Sequence, residues 1–291
     1  MYNSQSINDR LKNIAKKEGF KNIEKARIIL CLERVIARLV IDKYLQEHLI
    51  FGGGFVLYKE AKSQRFTKDV DAIISGINNA KLIEKIVNCL KSDLNDGFWF
   101  GNSIIEELKT ESGYGGLRFK IQYKAGLPFP NAKEMKALRR VHLDISIGVN
   151  LEKYAIDSTL TPILEIYDSI EWKVYPIEFI CAEKIHCLLD RKDLNTRGKD
   201  IYDLDFLLSR SQDKKLIEAI QKTFLKRKFK IKSLHNTAIK IDTTNLKENF
   251  RKAQFKKINV DFHQCWNNIL NRFKILDQAN NKHIKYPRSK H

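Results

Sequence analysis

Two aspartates separated by one residue, Asp69 and Asp71, open the apolar run DVDAIIS and follow Arg65-Phe66-Thr67-Lys68. If the run is a strand, residues i and i+2 leave the same face, so the two carboxylates project side by side. Like charges that close repel and raise one pKa unless a cation stands between them. Carboxylate oxygens are hard ligands, and Mg²⁺ (or Mn²⁺) suits them. The plainer alternative is a strand-capping Asp beside an exposed one. A third carboxylate, Asp144, lies in RVHLDISI, where Leu143, Ile145 and Ile147 share one face and Asp144 shares the other with His142 and Ser146. Three carboxylates on two neighbouring strands would form a two-metal site, aligning an attacking hydroxyl, an α-phosphate and a pyrophosphate leaving group. Such chemistry needs mainly positioning and charge neutralisation.

Two further segments carry polar groups at telling spacings. Gly52-Gly53-Gly54 precedes an expected short helix; glycines let backbone N–H groups approach phosphate oxygens, although a structural turn explains them equally well. Further on, Lys184 and Arg191 are seven apart in one helical stretch and share a face, as do Asp200 and Asp203 in the next. Arg191 and Arg197 could instead form a structural salt-bridge network with Asp200 and Asp203.

The elements that must position these groups follow from apolar periodicity. Residues 5–18 and 22–47 read as helices, and 55–61 as a short one. Residues 69–75 and 140–147 read as strands, 98–108 and 116–123 as β-like segments, and 79–94 as an amphipathic helix. From Pro176 the pattern turns helical: 177–190, 199–209, 214–225 and more to about 277, with a frayed tail over 278–291. The layout is α+β, a mixed sheet flanked by helices and followed by a helical region. The expected division is residues 1–174 and 175–291.

Composition fits an ordered globular chain: 291 residues, 43% hydrophobic and 30% charged. No run of about 18 apolar residues predicts a membrane span, and the polar N-terminus lacks a signal core, so the expected location is the cytoplasm. Cys31, Cys89, Cys181, Cys187 and Cys265 form no CxxC pair and sit in apolar-periodic stretches, which predicts reduced thiols. The net charge is +18, and residues 211–291 hold 20 Lys and Arg against 6 Asp and Glu, a surplus of 14. So lopsided a field favours a polyanion such as RNA, DNA or an acidic membrane surface. Lys226, Arg227 and Lys228 beside Phe229, and Arg251 and Lys252 with Lys256 and Lys257 around Phe255, interleave bases with aromatics. The bases would neutralise phosphates. The phenylalanines either stack on unpaired bases or belong to the core of amphipathic helices. Arg139 and Arg140, at the start of the Asp144 strand, could guide an RNA 3′ end.

Taken together, the glycine run, R-x-T-x-D-x-D and a later strand with a lone Asp resemble the polymerase-β-type nucleotidyltransferase superfamily. Glu33-Arg34 and Arg38-Leu39 ahead of LIFGGGFVL, with Lys184 to Arg191 and then Lys199-Asp200-Ile201-Tyr202-Asp203-Leu204, narrow the resemblance to the AbiEii/AbiGii toxins of type IV toxin–antitoxin systems. It spans roughly residues 5–210. The resemblance implies a polymerase-β-like fold and transfer of NMP from an NTP to RNA, notably the 3′ end of tRNA, so blocking translation. It implies metal ligation by Asp69, Asp71 and Asp144, and nucleotide contacts from Gly53, Gly54, Arg65, Thr67, Lys184 and Arg191. Lys184 would neutralise phosphates, Asp200 or Asp203 would orient basic groups or assist catalysis, and a cognate antitoxin would be a partner. The basic C-terminal domain would complete the nucleotide site and bind RNA. Departures are Gly52 in place of a frequent Lys, Gly53-Gly54 in place of Gly-Ser, Cys187 in place of Ala, and a long spacer between Arg191 and Asp200. Two other readings stay open: a nucleotidyltransferase acting on a protein or small molecule, and a non-catalytic NTP- or RNA-binding module.

Overall fold

The computed structural model describes residues 3–20, 22–108, 115–148, 152–253, 255 and 259–283. The chain divides into two compact units: unit 1 comprises Met1–Lys62 and Phe66–Tyr175, and unit 2 comprises Ser63–Arg65 and Pro176–His291.

Unit 1 begins with helices α1 (Ser4–Lys17) and α2 (Ile23–Leu39), each started by an asparagine whose side chain accepts a backbone N–H of the first turn: Asn3 from Ser6 and Asn22 from Lys25. The helical period over 22–47 continues, but the helix does not. It stops at Leu39, and Asp42 caps a separate helix α3 (Lys43–His48) by accepting from the Leu45 N–H. Then come β1 (Ile50–Gly52), α4 (Gly53–Lys59), β2 (Asp69–Ile74), α5 (Asn79–Lys91), β3 (Phe98–Glu107), β4 (Gly116–Ala125), α6 (Ala132–Met135), β5 (Arg140–Ile147), β6 (Ile156–Leu160) and β7 (Ile170–Val174). The strands form one mixed sheet in the order β3-β4-β5-β2-β1-β7-β6. Its centre is β2, antiparallel to β1 and parallel to β5.

Alternation decides which face of these strands is buried. Val70, Ala72 and Ile74 of β2, Val141, Leu143 and Ile145 of β5, and Leu117, Phe119 and Ile121 of β4 are all buried. The residues between them, the aspartates included, are turned to the other face. Helix α2 is buried almost throughout, charged residues included. Arg38 forks onto Asp96 at 2.7 and 2.8 Å, and Arg34 Nε reaches the same carboxylate at 2.9 Å. Glu33 takes Lys59 Nζ at 2.5 Å and the Ile163 N–H. The Glu33-Arg34 and Arg38 motif is therefore a set of buried ion pairs in the helix core. Breaking such pairs one-sidedly costs about 3–5 kcal/mol.

Unit 2 contains α7 (Ile177–Arg191), α8 (Lys199–Leu208), α9 (Asp213–Lys226), α10 (Leu234–Ala238), α11 (Thr244–Phe250) and α12 (Phe262–His283). Asp277 of α12 accepts from Ser233 Oγ and from the Leu234 and His235 N–H groups, so one helix supplies the cap of another. Gly198 lets α11 approach α8: a β-carbon there would collide with the Phe250 N and Leu246 O. Helix α12 continues past the expected fraying point, and buried Asn280 accepts from Gln221 Nε2 at 3.0 Å. Residues 284–291 of the expected tail lie outside the described residues. Among the described residues no helix is long and apolar enough to cross a membrane, and all five cysteines are free thiols.

Candidate active site

Strand β2 delivers Asp69 and Asp71 to one face because its partners Val70, Ala72 and Ile74 must face the core. The parallel register with β5 pairs Asp69 with His142 and Asp71 with Asp144. Strands lie about 4.8 Å apart, so the three aspartates and His142 form one patch. Gly52 of β1 pairs with Asp71 from the other side, and the next residue, Gly53, has φ +64°. A β-carbon on Gly53 would fall onto the Asp71 carboxylate, so the glycine turn is laid directly against this aspartate. Gly54 is buried in the first turn of α4. Thr67, also buried, donates its hydroxyl to the Asp69 carbonyl at 3.3 Å; its visible work is shaping the entry into β2.

The surroundings of the three carboxylates differ. Asp69 Oδ1 is buried and accepts no hydrogen bond; it lies 3.2 Å from His142 Nδ1, a charge pair only when the imidazole is protonated. Asp144 is fully engaged: Arg118 of β4, its register partner across the antiparallel β4–β5 ladder, donates Nε to Oδ1 at 2.8 Å and Nη2 to Oδ2 at 2.6 Å. The hydrogen bonds to Asp144 hold the Arg118 guanidinium well above its ordinary pKa, burial opposing them, with the charges of Asp144, Asp69 and Glu106 adding to the rise. The expected convergence of three carboxylates on shared ions is thereby modified. Among the described residues no group of three or more His, Cys, Asp or Glu side chains is arranged to hold a metal ion. The three are neighbours in register, but Asp144 turns to a guanidinium. Sequence reading missed Arg118, although the alternation in LRFKIQY puts it on the face opposite Leu117 and Phe119.

Unit 2 carries a second charged cluster. Arg65 forks onto Asp203 through Nε at 2.7 Å and Nη2 at 2.9 Å. Lys184 Nζ reaches Asp200 Oδ1 at 2.5 Å and Asp203 Oδ2 at 2.9 Å. Burial would push the Asp203 carboxyl up, but Arg65 and Lys184 outweigh it and hold the group well below the ordinary carboxylate range. Burial likewise opposes the charge of Lys184, and Asp200 and Asp203 together raise its pKa above the usual lysine value. The anticipated salt-bridge network exists with different members. Arg65 and Lys184 supply its cations, Arg197 stands 3.8 Å from Asp200 Oδ2, and among the described residues no ion pair engages Arg191. Asp200 Oδ2 is buried and accepts no hydrogen bond. Nothing in the sequence signals the pairing of Arg65 with Asp203, 138 positions apart.

The expected RNA-contacting residues fall into two sets. Arg227 pairs with Glu183 at 2.9 Å, and Lys226 is half-buried, which lowers its pKa. Lys228, Arg251, Lys252 and Arg140 are exposed, as is Arg139, which pairs with Glu24 at 2.8 Å. Phe229 packs on His186 and Phe224, with ring centroids 4.9 and 5.1 Å away. Phe255 packs on Tyr202 and Phe250 at 4.9 and 5.8 Å. Both rings are committed to intramolecular packing. Lys256 and Lys257 lie outside the described residues.

No curated protein matches the chain. Among solved structures, MenT4, a nucleotidyltransferase toxin from Mycobacterium tuberculosis, superposes with a TM-score of 0.56 at 14% identity, covering 92% of this chain and 92% of its own. JHP933 from Helicobacter pylori does so with a TM-score of 0.52 at 14% identity, covering 86% and 91%. At that identity these likenesses speak for the fold. Residues 34–282, from buried Arg34 into the last turn of α12, match the family described as "Nucleotidyl transferase AbiEii toxin, Type IV TA system", and the chain belongs to this family of nucleotidyltransferase toxins.

Proposed function

We propose that the chain transfers a nucleoside monophosphate from an NTP to the 3′ end of an RNA, with tRNA as the acceptor class, and that Asp69 and Asp71 hold the divalent ion the reaction uses. The observation that carries this reading is the buried Asp69 Oδ1, which accepts no hydrogen bond beside a second carboxylate on the same strand face. Buried acceptors are normally paired, and a hard cation fits these two oxygen donors. The family generally uses an NTP and a divalent metal, and Mg²⁺ (or Mn²⁺), when bound, neutralises triphosphate charge and polarises the α-phosphate.

The chain's own residues would do the rest. The acceptor 3′ oxygen bonds to the α-phosphorus, the bond to the β-phosphate oxygen breaks, and pyrophosphate leaves with its electron pair. Gly53 keeps Asp71 in place and presents no side chain at that point. In unit 2, Lys184 retains its positive charge and is the proposed phosphate contact. Asp200, whose Oδ1 holds Lys184 Nζ at 2.5 Å, is proposed to orient that lysine, and the hydroxyl proton passes to solvent. The charge surplus after residue 210 supports a polyanionic acceptor over a protein or small molecule. Membership of a type IV toxin–antitoxin family implies an antitoxin partner.

The test is incubation of purified protein with total tRNA, Mg²⁺ and each α-³²P-labelled NTP in turn. Label on tRNA, removable by a 3′ exonuclease, is expected. Label on proteins of a lysate with none on tRNA would overturn the RNA assignment.

A further inference from the structure

Charge arithmetic in unit 1 does not fit three free carboxylates. Asp69, Asp71 and Asp144 together carry three negative charges in one row of neighbouring register positions. One divalent ion would leave that row anionic, opposite a phosphate that is itself anionic. The sheet already answers this with Arg118. Its fork takes both oxygens of Asp144, and the pairing is set by the β4–β5 register. Bidentate pairing fixes the plane of a guanidinium as well as its charge. Only Nε and Nη2 are used on Asp144, so Nη1 keeps its donors. Arg118, Asp144 and Asp71 are successive register partners across β4, β5 and β2, so the guanidinium stands on the same sheet row as the β2 carboxylates.

We infer that Arg118 is a catalytic residue of the nucleotidyl transfer: oriented by Asp144, it donates through Nη1 to the α-phosphate and supplies the positive charge that a second protein-held ion would otherwise provide. Asp144 is then a positioning residue for Arg118, and Asp69 and Asp71 match a single divalent ion in charge. Lysine cannot reproduce the effect, because a point charge lacks the fork that Asp144 grips. The inference rests on the reading of Asp69 and Asp71 as the ion's ligands.

Mn²⁺ titration followed by electron paramagnetic resonance, on the full chain without nucleotide, separates the possibilities. Wild type should bind one ion, Asp71→Asn none, and Asp144→Asn one ion at near wild-type affinity. Single-turnover transfer should fall about 10²-fold or more in Arg118→Lys and in Asp144→Asn, the scale of losing one transition-state donor. The double variant should be no worse than either single one, since the two act as a unit. Melting curves confirm that each variant is folded. Loss of Mn²⁺ in Asp144→Asn, as complete as in Asp71→Asn, would make Asp144 a ligand and overturn the inference. Wild-type Mn²⁺ binding by Asp71→Asn would instead overturn the underlying ligand assignment. Full activity of Arg118→Lys would remove Arg118 from the reaction.

Discussion

Gly53 and Asp71 occupy adjoining space so tightly that a single β-carbon on the glycine would overlap the aspartate's carboxylate. The turn places Gly53 at φ +64°, which costs an L-residue about 1–2 kcal/mol. Gly53→Ala therefore imposes backbone strain and displaces Asp71 at the same time. The expected result is a modest fall in melting temperature with a disproportionate loss of transfer, about 10²-fold, as small misplacements of reacting groups produce. Parallel thermal melts and initial rates measure the split; a rate loss no greater than the loss of folded protein would show that the turn is only structural.

Asp200 and Asp203 share a helix and a lysine but differ in what they leave open. Asp203 is fully buried and has both oxygens committed to Arg65 and Lys184. Asp203→Asn should destabilise unit 2 by about 3–5 kcal/mol, because buried Arg65 loses its paired carboxylate and Lys184 loses one of two. Asp200→Asn should change stability less, because Lys184 keeps Asp203, while lowering transfer through the lysine it orients. Urea unfolding beside an activity assay reads both; equal destabilisation by the two would assign both to structure.

The same pairing predicts a pH dependence. Asp203 has a folded pKa below its unfolded one, so its contribution is present above the unfolded value, about 3.9, and is lost as pH falls through the folded value. The gap in unfolding free energy between wild type and Asp203→Asn should hold steady from about pH 7 to 5 and close below about pH 4. For Lys184, whose pKa is raised, the contribution is intact below the unfolded value of about 10.4 and fades as pH climbs through the folded one. A gap that widens on acidification would contradict the assignment.

Lys228, Arg251 and Lys252 are exposed, whereas Arg227 is paired with Glu183, so the proposed RNA contact is tested on the first three. Replacing the three exposed residues with Gln should weaken RNA binding and lower the salt slope, by about 0.7 for each phosphate of a single strand that is no longer neutralised. Filter binding from 50 to 200 mM KCl measures it; Phe229→Leu should leave the slope unchanged, since its ring packs on His186 and Phe224. An unaltered slope in the triple variant would move the RNA surface elsewhere.

How much of this is legible in the sequence depends on how local each signal is. Asp69 and Asp71 are legible because strand alternation alone puts them on one face, and Asp144 because Leu143 and Ile145 fix its orientation in the same way. Strands β6 and β7, IDSTL and IEWKV, are not, because five residues with mixed polarity carry too little periodicity. β1 is only three residues long and runs straight into the glycines. The break between α2 and α3 is hidden because the apolar period runs through it, although Asp42 three residues before Leu45 is a capping signal. The two pairings that most alter the chemistry, Arg118 with Asp144 and Arg65 with Asp203, join residues far apart in sequence, and only tertiary structure brings them together.

The proposed nucleotidyl transfer to RNA depends above all on the β2 carboxylates. The most direct measurement compares wild type with Asp71→Asn, matched for melting temperature, in a single-turnover assay of labelled NMP transfer to tRNA in Mg²⁺. Wild type should label the 3′ end, and the variant should lose at least about 10³-fold in rate, of the order seen when catalytic electrostatics are removed. Transfer by Asp71→Asn at the wild-type rate would contradict that assignment.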